Sequence, residues 1–373
     1  MTAQFNIKCL VPDLPGPGEV TPYLQEMHSN RWYTNFGPLN LRFEASMVDF
    51  FADSGSPGLE AQTFSSATTG LELILRAMNL PEGGRVLIPA LTFPATALAI
   101  LNAGLTPVLA DVDPFSWELT AETAFAAHAS EPLAAVMPVA AFGKPIQTAG
   151  WQNFQRTTGV PVLVDAAAAL GQQQVPEDLT AVFSLHATKP FGVGEGGLAV
   201  SGDKGLLDRA KSLSNFGFQG TAGVVQQTGT NAKLGEYYAA VGLVQLKRWP
   251  EIADRRKAVA KHYLDRLAPL GNKIQLQAGI EDFTPAVFPV FVDGKAAAIH
   301  RAMTAAAIQT RHWYLPLLQK HPAFADIGIA GTDGNNTLCA CSELENGLVG
   351  LPFHSFLSED DIENICDILV RTL

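Results

Sequence analysis

A chain of 373 residues, of which 47% are hydrophobic and 16% charged, is long enough for two domains or for one large domain with a smaller one. Its formal net charge of −11 argues against a nucleic-acid-binding protein, because phosphate backbones are recognised by basic surfaces. The cysteine spacing fits no common zinc pattern, so we expect no metal site and free, buried thiols in a reducing compartment; the cysteines are Cys9, Cys339, Cys341 and Cys366.

Residues 1–40 are predicted to form an irregular N-terminal arm. Residues 1–6 show no basic segment ahead of an apolar core, and the apolar runs of the chain contain Pro or Gly, so we expect no signal peptide, no membrane contact and a cytoplasmic protein. Prolines and glycines between positions 12 and 22 predict that no long helix forms there. The aromatic cluster at 32–36 is typical of an interface or a ligand lid, or it packs on the body of its own chain.

Residues 41–250 are predicted to form a large α/β domain, with a first helix beginning near Leu39. Short apolar segments typical of buried strands lie at 86–88, 108–111, 133–139, 160–165, 181–185 and 198–200. Helical patterns lie at 71–78, 93–101, 204–213 and 234–267. This alternation predicts a mainly parallel sheet, whose ligand binds beyond the carboxyl ends of the strands.

Residues 251–373 are predicted to form a smaller C-terminal α/β domain. Its expected elements are a strand at 287–292, a helix at 296–307, a loop at 331–336 and a last helix at 362–369, capped from Ser358.

A glycine-rich turn between two of these strands carries one lysine. The segment 183–189 reads FSLHATK, and the GEGG segment at 194–197 follows Lys189. Glycines let the backbone approach a bound group closely, and a desolvated lysine amine is a usable nucleophile. A surface turn with a solvated lysine is the alternative interpretation of this segment alone.

Two further features, taken together with the lysine, indicate one kind of chemistry. Asp165 ends a hydrophobic strand, where an isolated carboxylate is costly without a cationic partner. Residues 66–70 form a Ser/Thr turn at a predicted helix start, where free backbone N–H groups favour a phosphate. Pyridoxal phosphate needs a lysine for its aldehyde, a carboxylate for its ring nitrogen and an N–H-rich cradle, and Phe93 is placed to stack on its ring.

Each feature also has a structural interpretation. Instead of binding a cofactor, Asp165 could cap a helix N-terminus, and the Ser/Thr turn could be a capping motif only. Phe93 could be a core residue. The order of phosphate turn, aromatic residue, carboxylate and lysine is more specific than any one of them.

Several motifs resemble those of the DegT/DnrJ/EryC1/StrS sugar aminotransferases, which are fold-type I (aspartate-aminotransferase-like) pyridoxal-phosphate enzymes. The main ones are SATTGL at 66–71, PALTFPAT at 89–96, residues 138–143, VDAAAALG at 164–171, and the lysine turn at 183–197. Further matches are residues 35–38, 229–236, 239–246, 310–316 and 351–354. The resemblance therefore implies a three-layer fold-type I large domain and a smaller C-terminal α/β domain.

The resemblance also implies residue roles. Lys189 would hold the cofactor as a Schiff base and move the proton, and Asp165 would pair with the pyridine nitrogen. Thr68, Thr69 and Ser184 would bind the phosphate, Phe93 would stack on the ring, and Asn231 would reach the phosphate of a neighbouring subunit in a homodimer with shared active sites. Tyr33, His186, Glu195 and Tyr314 are candidate substrate residues. The implied substrates are glutamate and a nucleotide-linked keto sugar, with C4 of a 6-deoxyhexose favoured over C3.

The chain departs from the family at two positions. Ala168 stands where the family usually has a glutamine near the cofactor's 3-hydroxyl or the substrate, and Leu170 where it has a histidine. One lost hydrogen bond is worth about 0.5–1.5 kcal/mol and leaves Schiff-base formation possible. The rival hypotheses are the same chemistry on a cyclitol or another keto substrate, and a cofactor-binding sensing protein without turnover.

Overall fold

The computed structural model describes residues 5–219, 223–331 and 337–373. The predicted loop at 331–336 lies, after its first residue, outside the described residues. The strands are β1 (Glu60–Phe64), β2 (Arg85–Pro89), β3 (Thr106–Ala110), β4 (Ala135–Val136), β5 (Leu163–Asp165), β6 (Thr180–Ser184), β7 (Gly197–Ser201), β8 (Gln275–Leu276), β9 (Phe288–Phe291), β10 (Gly328–Ile329) and β11 (Leu348–Leu351).

The helices alternate with the strands through most of the chain. They are α1 (Pro17–Asn30), α2 (Pro38–Asp53), α3 (Ala67–Ala77), α4 (Pro94–Asn102), α5 (Ala121–Ser130), α6 (Thr148–Thr158), α7 (Lys204–Ser214), α8 (Glu236–Leu267), α9 (Ala296–Ala305), α10 (Cys339–Gly347) and α11 (Glu359–Thr372). Short 3-10 turns lie at Ala141–Gly143, Ala268–Lys273, Ile280–Asp282, Leu318–Lys320 and Pro322–Phe324.

The large sheet is mainly parallel, as the sequence predicts. One half has the strand order β1-β7-β6-β5 and the other β10-β3-β2-β4. Parallel bridges from Val136 to Val162 and from Val139 to Asp165 join the halves between β4 and β5. β7 runs antiparallel to both its neighbours, whereas the pairs β5–β6, β2–β3, β2–β4 and β3–β10 are parallel. The carboxyl ends of the parallel strands therefore meet at one edge.

Continuous apolar strands explain why helices cover both faces of this sheet. All five residues of β6 and of β7 are buried, so neither strand has a solvent face. One core cluster joins Phe43 of α2 and Phe183 of β6 with the first half of α8. A second cluster joins Ile74 of α3 and Trp117 with β2 and α7.

A second, three-stranded sheet has the order β11-β9-β8. It packs with α9, α11 and the last part of α8, in a third cluster that contains Tyr263 and Phe288. The predicted division between residues 250 and 251 falls inside α8, next to its internal Pro250. The three-part division of the chain stays a prediction.

The prediction that prolines exclude a long helix from the arm is wrong, because α1 has 14 residues. Pro17 occupies its first turn, where a missing N–H costs nothing. Only Pro22 lies inside the helix, and it removes one backbone hydrogen bond. The Glu19 carboxylate accepts from the N–H of Gly16, which helps to start the helix.

Other differences are smaller. The sequence did not predict β1, α5 or α6, and α3 begins at Ala67 rather than Leu71. Cys339 is exposed, although its three counterparts are buried as expected. Within the described ranges, no helix combines the length and the apolar character needed to cross a membrane.

Candidate active site

Lys189 lies in a turn that its own backbone holds in place. The turn leaves β6 at Ser184 and returns into β7 at Gly197. The N–H of Lys189 donates to the carbonyl of His186 (2.9 Å), and the N–H of Ala187 donates to the carbonyl of Gly194 (2.8 Å). Gly194 has a φ of +118°, which a residue with a side chain rarely adopts. The turn is therefore an ordered structure, and the Lys189 side chain borders a cavity.

Asp165 ends β5 and is buried, being 4% exposed. Its Oδ2 accepts from the Thr96 hydroxyl (2.8 Å), and its Oδ1 accepts from the N–H of Ala167 (3.2 Å). No helix begins between β5 and β6 in the described chain, so Asp165 is not a helix N-cap. Thr96 was missed by the sequence analysis, although it lies in the same motif as Phe93 and one helical turn after Thr92.

One cavity of about 290 Å³ collects most of the predicted site residues. Those that line it are Thr68, Phe93, Asp165, Ser184, His186, Lys189, Glu195 and Tyr314. The structure thus brings together side chains from the ends of β5 and β6, the start of α3 and the segment before the 3-10 turn at Leu318–Lys320. Volumes of this order are at the lower end for small-molecule sites, about 300 Å³ and upward.

Burial acts on the two charged groups in opposite directions. Desolvation raises the pKa of Asp165, while hydrogen bonds from Thr96 and Ala167 and the charge of Lys189 act against it. Desolvation lowers the pKa of Lys189, and the charge of Asp165 acts against that. Lys189 thus has more of the neutral, nucleophilic amine at a given pH than a solvated lysine has.

The N-terminus of α3 offers free donors to the same cavity. Ser66 is the N-cap, and its hydroxyl accepts from the N–H of Thr69 (3.1 Å), so the capping motif is real. The N–H groups of Ala67 and Thr68 have no partner among the described residues. A Cβ on Gly197 would lie 2.4 Å from the carbonyl oxygen of Ser66, so β7 approaches this turn too closely for any side chain at that position.

Aromatic side chains form one wall. Phe93 is 53% exposed, which contradicts the core interpretation of that residue. Its ring lies 6.2 Å from that of Trp313. Tyr314 stacks on Phe142, with ring centroids 4.9 Å apart.

His186 and Glu195 lie together near the cavity. Nδ1 of His186 lies 2.8 Å from the Thr188 hydroxyl and 3.2 Å from the N–H of Thr188. Nε2 of His186 lies 3.6 Å from Oε1 of Glu195. The pair therefore places two polar side chains beside the Lys189 turn.

Three predicted site residues do not line the cavity. The Thr69 hydroxyl accepts from the N–H of Ser66 (3.2 Å) within the capping motif. The Tyr33 hydroxyl pairs with Nδ1 of His28 (3.2 Å), and Asn231 accepts from the Lys233 ammonium (2.7 Å). Their predicted roles stay predictions.

The two departures from the resembled family occupy different environments. Ala168 lines the cavity, where its methyl group offers no hydrogen bond. Leu170 is 2% exposed and belongs to the core below the site.

The residues present fit pyridoxal phosphate. A lysine with a lowered pKa, a buried carboxylate and unpartnered N–H groups at a helix start face one cavity, and an exposed aromatic ring stands at its wall. Lys189 and Asp165 line the same cavity and each acts on the pKa of the other, and no ion pair joins them in the described chain.

Comparisons with known proteins agree with this chemistry. The model of the DegT/DnrJ/EryC1/StrS aminotransferase family matches residues 18–370. Protein Mb3436c of Mycobacterium bovis is 30% identical over 96% of this chain and 88% of its own length. The dTDP-4-amino-4,6-dideoxy-D-glucose transaminase of Shigella dysenteriae is 27% identical over 95% of both chains.

A solved structure from Bacillus cereus, described as a candidate PLP-dependent aminotransferase, superposes with a TM-score of 0.90 at 28% identity. The match covers 98% of this chain and 100% of the other. This likeness confirms the expected fold-type I architecture.

Proposed function

Because this chain belongs to the DegT/DnrJ/EryC1/StrS aminotransferase family and is a pyridoxal-phosphate-dependent aminotransferase, we propose that it transfers an amino group from glutamate to a nucleotide-linked keto sugar. The acceptor position is C4 of a 6-deoxyhexose, and the product serves cell-surface polysaccharide or secondary-metabolite synthesis in the cytoplasm. The observation that carries the proposal is the placement of Lys189 and Asp165 on one cavity with the start of α3. The name of the Shigella relative supports the substrate class.

Lys189 has the central role in the chemistry. Pyridoxal phosphate, when bound, supplies an aldehyde and an electron-withdrawing pyridine ring. Nζ of Lys189 would hold the aldehyde carbon, with loss of water, and as a free amine Nζ would remove the proton from the α-carbon of glutamate. In the second half-reaction, Nζ returns a proton to the carbon that was the ketone of the sugar. The lowered pKa of Lys189 suits both directions.

The other residues bind and orient. Asp165 holds the proton of the ring nitrogen, because a buried carboxylate favours an opposite charge beside it. Thr68, Ser184 and the first N–H groups of α3 hold the phosphate, and Phe93 covers the ring. His186 and Glu195 stand where a sugar hydroxyl would reach them.

We propose further that two copies of the chain form a homodimer with shared sites. The chain exposes several aromatic side chains, namely Trp32, Tyr33, Phe216, Phe218, Tyr237 and Tyr238, and Tyr33 stacks on Tyr237. Tyr238 lies against Gly194 of the Lys189 turn. Asn231 is outside the cavity of its own chain, which agrees with a role towards the phosphate of a neighbouring copy.

A substrate panel tests the function. The protein loaded with pyridoxal phosphate should lose its visible absorbance on adding glutamate and regain it on adding a nucleotide 4-keto-6-deoxy sugar. Recovery only with a cyclitol ketone or a free keto sugar would move the assignment to that substrate. Absorbance that glutamate fails to bleach would favour a sensing protein without turnover.

A further inference from the structure

Tyr314 lines the cavity, and its phenol does not donate a hydrogen bond to any described residue. Its oxygen accepts a long hydrogen bond from the N–H of Phe142 (3.5 Å). Within the described residues, 5–219, 223–331 and 337–373, no acceptor lies at hydrogen-bond distance from its O–H group. Burial and the charge of Asp165 raise the pKa of Tyr314 to about 12, so it keeps this proton at any working pH. Tyrosine hydroxyls in buried positions normally have a hydrogen-bond partner, so a ligand is the natural acceptor.

The order of residues along the sheet edge places Tyr314 on the opposite side of Asp165 from the start of α3. The start of α3 contacts β7 through Gly197, and Ser184 ends β6. Asp165 ends the next strand, β5, and pairs with Val139 after β4. Tyr314 lies beyond, stacked on Phe142 of the segment that follows β4. Asp165 therefore lies between the phosphate turn and Tyr314.

The chemistry of pyridoxal phosphate matches this order. The aldehyde carbon of its ring is opposite the ring nitrogen, and the phosphate arm and the phenolic oxygen flank that carbon on opposite sides. A ring that faces Asp165 with its nitrogen and α3 with its phosphate turns its phenolic oxygen away from α3. The other lining side chains on that side are apolar, namely Val139, Ala140, Ala168, Ala286 and Val287.

We propose that the Tyr314 hydroxyl donates a hydrogen bond to the phenolic oxygen of bound pyridoxal phosphate, on the edge where Ala168 offers no polar group. This rests on the proposed function, because it takes Lys189 and Asp165 as the anchors of the ring. Tyr314 acts there as a positioning and tuning residue. A donor on the phenolic oxygen draws electron density from it, so the oxygen holds the proton on the Lys189 nitrogen less strongly.

The test is a pH titration of the visible absorbance of the loaded protein, together with the dissociation constant for pyridoxal phosphate. In Tyr314→Phe the pKa of the cofactor-linked Lys189 nitrogen should rise by about 0.5 to 1 pH unit, as expected for one lost hydrogen bond. Cofactor affinity should fall about 3- to 10-fold. Adding Ala168→Gln to this variant, which supplies an amide at the same edge, should move the titration back.

Three controls separate the outcomes. Tyr23→Phe removes a hydroxyl that accepts from Lys247 far from the cavity, and should change neither quantity. The thermal unfolding midpoint of Tyr314→Phe checks that the ring still packs on Phe142. Lys189→Ala should remove the visible absorbance; if it does not, the proposed function itself fails.

If Tyr314→Phe titrates with the same pKa as the wild-type protein while Lys189→Ala loses the visible absorbance, this inference fails and the proposed function stands. A change confined to the Michaelis constant for the sugar would overturn the inference too, because the phenol would then contact substrate rather than cofactor.

Discussion

Lys189 and Asp165 act as a pair because the charge of each opposes the pKa shift that burial causes in the other. Burial alone pushes both groups towards their neutral forms. Hydrogen bonds from Thr96 and Ala167 to Asp165 act against this effect and favour its charged form, as the proposed pairing with a protonated ring nitrogen requires. Among the described residues no hydrogen-bond partner offsets the burial of the Lys189 amine, which is correspondingly easier to deprotonate.

The pH dependence of cofactor capture should show this difference. Only the neutral amine of Lys189 attacks an aldehyde, so the rate of pyridoxal phosphate capture by the cofactor-free protein should rise with pH. Because burial lowers the pKa of Lys189, the midpoint should lie below the 10.5 of a solvated lysine. Asp165→Asn removes a charge that raises this pKa, so its midpoint should lie lower still. Stopped-flow absorbance measures both.

A midpoint at or above that of a solvated lysine would mean that Lys189 is not desolvated. Asp208→Asn is the matched control, because Asp208 pairs with Lys204 on the exposed surface and should leave the capture profile unchanged.

For individual residues, the sequence predicted much of the candidate site. Lys189 and Asp165 were recognisable because both follow apolar strands that end at the same edge of a sheet. Thr96 and the free phenol of Tyr314 depend on which way a side chain turns after a helix start or a loop, and spacing does not encode that. Thr68 and Thr69 look alike in sequence, and only the capping geometry separates the cavity residue from the internal one.

The contact between β7 and the start of α3 shapes the proposed phosphate cradle. Gly197 brings the β7 backbone against Ser66, at a distance that leaves no room for a side chain. The N–H groups of Ala67 and Thr68 keep their orientation only while Ser66 stays in place as the N-cap.

Gly197→Ala should therefore damage the cradle. Its methyl group would displace the Ser66 backbone, so we expect affinity for pyridoxal phosphate to fall at least about 10-fold and the free energy of unfolding to fall by about 1–3 kcal/mol. Equilibrium titration and thermal unfolding measure the two effects. Gly18→Ala is the matched control, because nothing lies within 4 Å of a Cβ built there. Equal behaviour of the two variants would show that the contact is dispensable.

Helix α1 shows where element prediction from sequence fails. Proline is a poor helix residue in general, yet Pro17 lies in the first turn and only Pro22 removes a bond. Tertiary contacts compensate for that bond, since Val20 and Met27 of α1 are buried in the same cluster as α8. Local pattern cannot supply that information.

At the scale of the whole molecule, α8 connects the two sheets. Its first half packs against α2 and the large sheet, and its last part lies in the cluster around β9. Asp13 binds this helix through Arg248 (2.8 Å) and Arg255 (2.9 Å), and it also accepts from the Ser355 hydroxyl (2.6 Å). The arm, α8 and the segment before α11 are thus held at one buried carboxylate.

The α/β architecture was predictable because βαβ alternation is a local pattern repeated along the chain. The position of β1 beside β7 was not, because it depends on pairing between segments more than a hundred residues apart.

Mixed dimers test whether the active site is shared between two copies. Lys189→Ala and Asn231→Ala should each lower activity. If Asn231 serves the neighbouring copy, a dimer with one chain of each kind has one site with both residues intact and one with neither. Random exchange of subunits should then restore about a quarter of the wild-type activity to the mixture. Steady-state transamination after mild unfolding and refolding of the mixture measures it.

Mixing Lys189→Ala with Asp165→Asn is the decisive comparison, because both residues belong to the cavity of one chain. Every site in such a hybrid lacks one of the two, so no activity should return. No recovery in the Asn231 mixture, while size-exclusion light scattering reports a dimer, would place Asn231 in its own subunit's chemistry. Recovery in the control would mean that Lys189 and Asp165 of one chain do not serve the same site. A monomer by light scattering would leave the aromatic surface around Tyr33 and Tyr237 without its second copy and would contradict the shared site outright.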